Sequence, residues 1–130
     1  MDKAEILERI KSLSTKKVDA MYLNDFLLTW DKSADEIDAT LQTAEILRVM
    51  RDHNISCSTF DTGLAISIFR DQSTRTRFSF AGACNLLGLT IQELDEEKSQ
   101  IAHGETVQET ANMISFLAEV IGANYLVLTR

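Results

Sequence analysis

The run Leu64-Ala65-Ile66-Ser67-Ile68-Phe69 constrains this chain more than any other feature. Six mostly apolar residues in succession read as a strand buried on both faces. A polar turn, Arg70 to Thr74, follows at once, then a helix over about Arg75 to Leu87 that closes on Gly88, a natural C′ residue. Leu89 to Leu94 reads as a second strand and Asp95 to His103 as a polar loop. Gly104 to Ile121 reads as a helix with Val107, Ala111, Ile114, Leu117 and Ile121 on one face, and Tyr125 to Leu128 as a third strand. Strands that alternate with helices imply an α/β fold of three layers, a parallel sheet flanked by helices. Ligands of such sheets bind beyond the carboxyl ends of the strands.

Upstream, the pattern predicts a helix over Asp2 to Leu13, a polar stretch from Ser14 to Lys17, and a short helix over Asn24 to Thr29 with Asn24 as its cap. Ser33-Ala34-Asp35-Glu36 has the form of a capping box. It opens a helix to about Asp52 whose core stripe is expected to be Ile37, Leu41, Ala44 and Leu47. Arg48 and Arg51 sit near its end, where cations suit the helix dipole. Proline is absent from all 130 residues, so the loops lack their usual punctuation.

Composition excludes several function classes. A net charge of −7 argues against a nucleic-acid binder, which needs a broad basic face. No apolar run approaches the roughly 20 residues of a membrane span. Met1-Asp2-Lys3-Ala4-Glu5 lacks the apolar core of a signal peptide, so a cytoplasmic location is expected. Cys57 and Cys84 are expected to be buried free thiols. Without C-x-x-C or H-E-x-x-H, no metal site is expected.

Against this acidic background Arg70, Arg75 and Arg77 form a short basic cluster. Either they meet a small anionic ligand or they pair with nearby carboxylates; composition leaves both open. Position adds information. Ser73-Thr74-Arg75-Thr76-Arg77 lies where a strand hands over to a helix, and the first N–H groups of a helix have no partners within it. Together with the dipole they form a receptor for phosphate, to which hydroxyls and a guanidinium add donors. A unit charge pair at about 4 Å and an effective dielectric near 20 gives about 4 kcal/mol, before the desolvation that reduces it. The helix terminus adds roughly 0.3–1 kcal/mol. Arg75 should therefore supply most of the attraction, with hydroxyls and backbone fixing orientation. The bland alternative is a capped helix start carrying surface arginines. No G-x-x-x-x-G-K-[ST] is present, so this is not a Walker loop.

The stretch from Phe69 to Phe80 resembles the S-T-R-T-R signature of the aspartate and ornithine carbamoyltransferases. That resemblance implies that Ser73, Thr74, Arg75 and Thr76 bind carbamoyl phosphate, with Arg75 on the phosphate and Thr76 donating towards the carbonyl oxygen as the catalytic pair. It implies structural ion pairing for Arg77. Ser99-Gln100-Ile101-Ala102-His103 is similar to the S-Q-I-G-H loop of the ornithine enzymes, and His103-Gly104-Glu105-Thr106 to the K-G-E-T segment of the aspartate enzymes. By resemblance this loop enters a neighbouring subunit's site, so Ser99, Gln100 and His103 would act across the interface of a homotrimer. His103 stands where the aspartate enzymes carry lysine, which makes aspartate a less expected substrate; the mixture is similar to homologues whose second substrate sequence does not assign. The bland reading of His103 is an exposed or capping residue, and of Lys98 a solvated charge.

The implied chemistry needs no metal or organic cofactor: an amine attacks carbamoyl phosphate and phosphate leaves. The family's further arginine falls on Asn124 here, with Arg130 six residues late as a substitute, and its H-P-x-Q segment would follow Arg130. The resemblance runs from Asn24 to Ile121, and Gly122 to Arg130 fit it poorly. The expectation is therefore one carbamoyl-phosphate-binding domain over residues 1–130, the incomplete amino-terminal part of a two-domain enzyme of amino acid metabolism. An amino acid or other amine acceptor would bind only with a second domain. Two other readings stand beside it: a module that binds phosphate or carbamoyl phosphate without turnover, and a fragment that assembles with full-length subunits.

Overall fold

The computed structural model describes residues 3–16, 18–69, 73–95 and 104–124. They fall into two compact units, Met1–Ser56 and Cys57–Arg130.

In the first unit α1 (Lys3–Leu13) packs against α2 (Ala34–Asp52) through Ile6, Ile46 and Val49, with Leu13 and Met50 beside them. Ser33 and Glu36 form the capping box: the Ser33 hydroxyl accepts from the Glu36 N–H, and the Glu36 carboxylate accepts from the Ser33 N–H. The buried face of α2 is not the expected one. Ala39, Ile46 and Val49 are buried, whereas Leu41 is 65% exposed and Ala44 is exposed. Helix α2 carries two apolar stripes, and α1 covers the one running through Ile46 and Val49. The expected helix over Asn24 to Thr29 does not form. Two 3₁₀ turns, Asp19–Met21 and Thr29–Asp31, flank an extended segment instead. Leu23 takes a left-handed conformation (φ 55°), and Asn24 Nδ2 donates back to the carbonyls of Ala20 and Tyr22. Asn24 thus closes the turn before it rather than capping a helix after it.

The second unit is the α/β layer. Strands β1 (Leu64–Phe69), β2 (Thr90–Glu93) and β3 (Val120–Asn124) form a parallel sheet in the order β2-β1-β3. Helix α3 (Thr74–Leu87) joins β1 to β2, and α4 (Val107–Ser115) lies between β2 and β3. Right-handed crossovers in this strand order place the two helices on opposite faces, and the packing agrees. Ala65, Cys84 and Leu89 cluster with Phe60, Phe80 and Ile91 on the α3 face. Ile66, Ile68 and Ile114 cluster with Leu64, Leu94 and Ala118 on the α4 face. Period-two alternation along β1 thus feeds two cores, which is why the strand is mostly apolar.

Gly88 ends α3 at φ +94°, and a Cβ there would collide with the Phe60 carbonyl. Helix α4 is shorter than the pattern predicted. It stops at Ser115, and β3 begins at Val120 inside the stretch expected to be helical. Register explains the change. The Glu119 N–H donates to the Leu64 carbonyl and the Glu119 carboxylate accepts from the Leu64 N–H, so the chain enters the ladder beside β1. The expected strand Tyr125 to Leu128 lies outside the described residues. Both cysteines are buried, and neither forms a disulfide. No described helix is long and apolar enough to cross a membrane.

Candidate functional site

Strand order β2-β1-β3 makes the carboxyl end of β1 the switch point, because the crossovers leave for opposite faces on either side of it. Phe69 ends β1 there, and Ser73 opens α3 as its N-cap. The Ser73 hydroxyl caps no backbone N–H; it shares a hydrogen bond with the Thr76 hydroxyl at 3.0 Å. The first intrahelical bond of this turn runs from the Arg77 N–H to the Ser73 carbonyl. The N–H groups ahead of it have no helical partner, and no acidic residue stands in the first turn.

The other helix starts differ. In α2 the Glu36 carboxylate accepts from the Ser33 N–H at 2.7 Å, and in α4 the Glu109 carboxylate accepts from the Thr106 N–H at 2.9 Å. Each backbone hydrogen bond holds that carboxyl below the usual glutamate range. Helices α2 and α4 therefore fill their own positive ends, and α3 does not.

The sequence-predicted residues separate on this frame. Ser73 and Thr76 are half-buried, Thr74 and Arg75 exposed. Among the described residues Arg75 has no ion-pair partner. Arg77 is engaged: its Nη2 donates to the Phe69 carbonyl at 2.8 Å and its Nη1 pairs with the Glu93 carboxylate. Of the two openings left by the basic cluster, Arg77 thus takes the carboxylate and Arg75 is left facing solvent at the helix start. Arg70, Lys98, Ser99, Gln100 and His103 lie outside the described residues. Beneath the junction Phe69 meets Phe80 edge to face, with ring centroids 5.5 Å apart, and Gly122 on β3 gives the Phe80 ring its space. Glu93 and the Phe80–Gly122 contact escaped sequence reasoning. Glu93 becomes a partner of Arg77 only through the β1–β2 register, which sets Ser67 beside Glu93.

Ser73, Thr74, Arg75 and Thr76 can together offer an oxyanion hydroxyls, backbone N–H groups and one guanidinium from a single helix turn. Nothing comparable appears in the groove of about 680 Å³ along α1 and α2. Glu5, Glu8, Arg9, Ser12 and Gln42 line it, and two glutamates to one arginine suit an anion poorly. No group of three His, Cys, Asp or Glu that could hold a metal ion occurs among the described residues.

Residues 24–125 match the family described as aspartate/ornithine carbamoyltransferase, carbamoyl-P binding domain. The protein named "Putative carbamoyltransferase YgeW" of Escherichia coli (strain K12) is 56% identical over 118 residues, which cover 91% of this chain and 29% of that protein. The aspartate carbamoyltransferase catalytic subunit of Halothermothrix orenii is 31% identical over 110 residues, 84% of this chain and 34% of that one. Among solved structures, the catalytic subunit of M. jannaschii aspartate transcarbamoylase superposes with a TM-score of 0.68 at 25% identity, covering 78% of this chain and 33% of that one. The chain thus spans about a third or less of the length of these relatives.

Proposed function

Because this chain belongs to the aspartate/ornithine carbamoyltransferase family, through its carbamoyl-P binding domain, we propose that residues 1–130 act as a carbamoyl-phosphate-binding domain whose ligand sits on the first turn of α3. Arg75 meets the phosphate, Ser73 and Thr74 donate to its oxygens, and Thr76 donates towards the carbonyl oxygen. The observation that carries this reading is the open start of α3: no side-chain cap, no acid in the first turn, and Arg75 without an ion-pair partner among the described residues.

The residues suit carbamoyl transfer. Attack by an amine nitrogen on the carbonyl carbon forms a C–N bond and pushes charge onto the carbonyl oxygen. The C–O bond to phosphate then breaks, the amine gives up a proton, and phosphate departs. Donors already in place at the developing charge lower that barrier without rearranging during the reaction. Arg75 would balance the charge on the departing phosphate, and Thr76 would meet the carbonyl oxygen. On this reading the full activity uses a second domain for the amine or amino acid, and Ser99, Gln100 and His103 of a neighbouring copy in a cytoplasmic homotrimer. A second reading is binding of carbamoyl phosphate without turnover. Formation of a ureido product from carbamoyl phosphate and an amine separates the two.

Arg75→Ala tests the ligand assignment. Calorimetry should show carbamoyl phosphate and inorganic phosphate binding weakened about a hundredfold, the scale set by losing most of a charge pair of a few kcal/mol. Thermal unfolding should be unchanged, because the side chain is exposed. Unaltered affinity would refute the role.

A further inference from the structure

Arg77 holds both ends of the junction between β1 and α3. Its backbone N–H donates to the Ser73 carbonyl at 3.2 Å, and its guanidinium donates to the Phe69 carbonyl at 2.8 Å. One residue thereby fixes where the strand stops and where the helix starts. The guanidinium is itself held by Glu93, the last residue of β2. The side chains are 35% and 52% exposed, so the pair is reachable by solvent without being loose in it.

We propose that Glu93 is a positioning residue for the anion site and acts on it through Arg77. The ligand in this proposal rests on the carbamoyl-phosphate reading above; the geometry does not. Two consequences follow from the same ion pair. Glu93 fixes the plane of a guanidinium whose other donor is committed to Phe69, so the strand end and the first turn of α3 keep their spacing. It also neutralises a cation two residues from Arg75, so that of these two arginines Arg75 is the one presented to the ligand. Fixed spacing matters because hydroxyl and backbone donors bind by direction, and a shift of a few tenths of an ångström misaligns several of them together.

These two roles have opposite signs on removal, and the proposal is that positioning is the larger, so the sign of the change decides it. Loss of positioning weakens binding of a shaped ligand. Release of the Arg77 charge strengthens attraction to any dianion. Carbamoyl phosphate and inorganic phosphate are titrated by calorimetry into the 130-residue chain and into Glu93→Gln, Arg77→Gln and the double variant. Amide spectra are recorded without ligand, and circular dichroism establishes that each variant is folded. Glu93→Gln should weaken carbamoyl phosphate binding about three- to fivefold, the range of a partly exposed ion pair, with a smaller change for phosphate. The change should vanish in the Arg77→Gln background, because Glu93 has nothing left to act through. The amide resonances of Thr74, Arg75 and Thr76 should move in unliganded Glu93→Gln.

A gain in affinity for both anions overturns the proposal, and so do losses that simply add in the double variant. Stationary Thr74–Thr76 amides in a folded Glu93→Gln overturn it as well. If the unmodified chain binds neither anion while those amides still move, the clamp stands and the carbamoyl-phosphate assignment falls.

Discussion

Helices α2, α3 and α4 all open on a hydroxyl side chain, Ser33, Ser73 and Thr106, yet they part company three residues later. The third residue of the turn is Glu36 in α2 and Glu109 in α4, and each folds back to complete a capping box. In α3 it is Thr76, whose hydroxyl meets Ser73 and adds no charge. A negative charge at a helix start is favourable, because it faces the positive end of the dipole. Helices α2 and α4 hold that stabilisation internally, whereas the first turn of α3 carries no acid to supply it. The difference between a self-capped start and an open one is here a single side chain.

The substitution that should break the contrast most is Thr76→Glu. It gives α3 the same Ser-x-x-Glu pattern as α2, places a carboxylate over the unpartnered N–H groups, and sets a negative charge where phosphate would sit. Phosphate binding by calorimetry should fall by more than about a hundredfold, since like charges near 4 Å oppose each other by a few kcal/mol at an effective dielectric of about 20. The melting temperature should hold or rise. Retained binding would mean that the start of α3 is not the site.

A smaller effect comes from the capped side. Thr106→Ala removes the hydroxyl that accepts from the Glu109 N–H and donates to the Glu109 carboxylate. Urea unfolding should show a loss of about 1 kcal/mol, with phosphate affinity unchanged. A fall in affinity would mean that α4 also takes part in binding.

The smallest effect is in pH. Glu36 and Glu109 have folded pKa values lowered by backbone hydrogen bonds from Ser33 and Thr106. Their contribution is complete above the ordinary glutamate range and is lost as pH falls through the lowered folded values. Urea midpoints measured on acidification should therefore drop, and drop less steeply in Glu36→Gln and Glu109→Gln. Helix α3 has no acid in its first turn to add to that slope. An unaltered slope in both variants would show that the boxes do not form in solution.

The strand at 64–69 and the helix that closes on Gly88 were legible because two signals agreed: an apolar run too short for a helix, and Gly88 at the place where a left-handed residue was required; residues 70–72 of the expected turn between them lie outside the described residues. The boundary between α4 and β3 was not. Val107, Ala111, Ile114, Leu117 and Ile121 keep helical spacing, but Ile121 lies on β3. A buried parallel strand has no alternation of its own to interrupt such a series, and neither glycine nor proline marks residues 116–119. Helix α2 shows a related ambiguity, since Leu41 belongs to an apolar stripe as regular as the one α1 covers. Within the site, Arg75 and Arg77 look alike in sequence. Their fates differ because strand pairing brings Glu93 to one and not the other, and a register is a property of two segments at once. Ser99, Gln100 and His103 were named from resemblance alone and lie outside the described residues.

The missing side chain at position 122 ties distant parts of the gene together. Phe80 occupies the space that any larger residue on β3 would need, and Phe80 in turn buttresses Phe69 at the end of β1. Positions 80 and 122 are therefore not free to change size separately. Bulk gained at one must be surrendered at the other, so the volume beside the end of β1 is set partly by a strand more than forty residues downstream of Phe80.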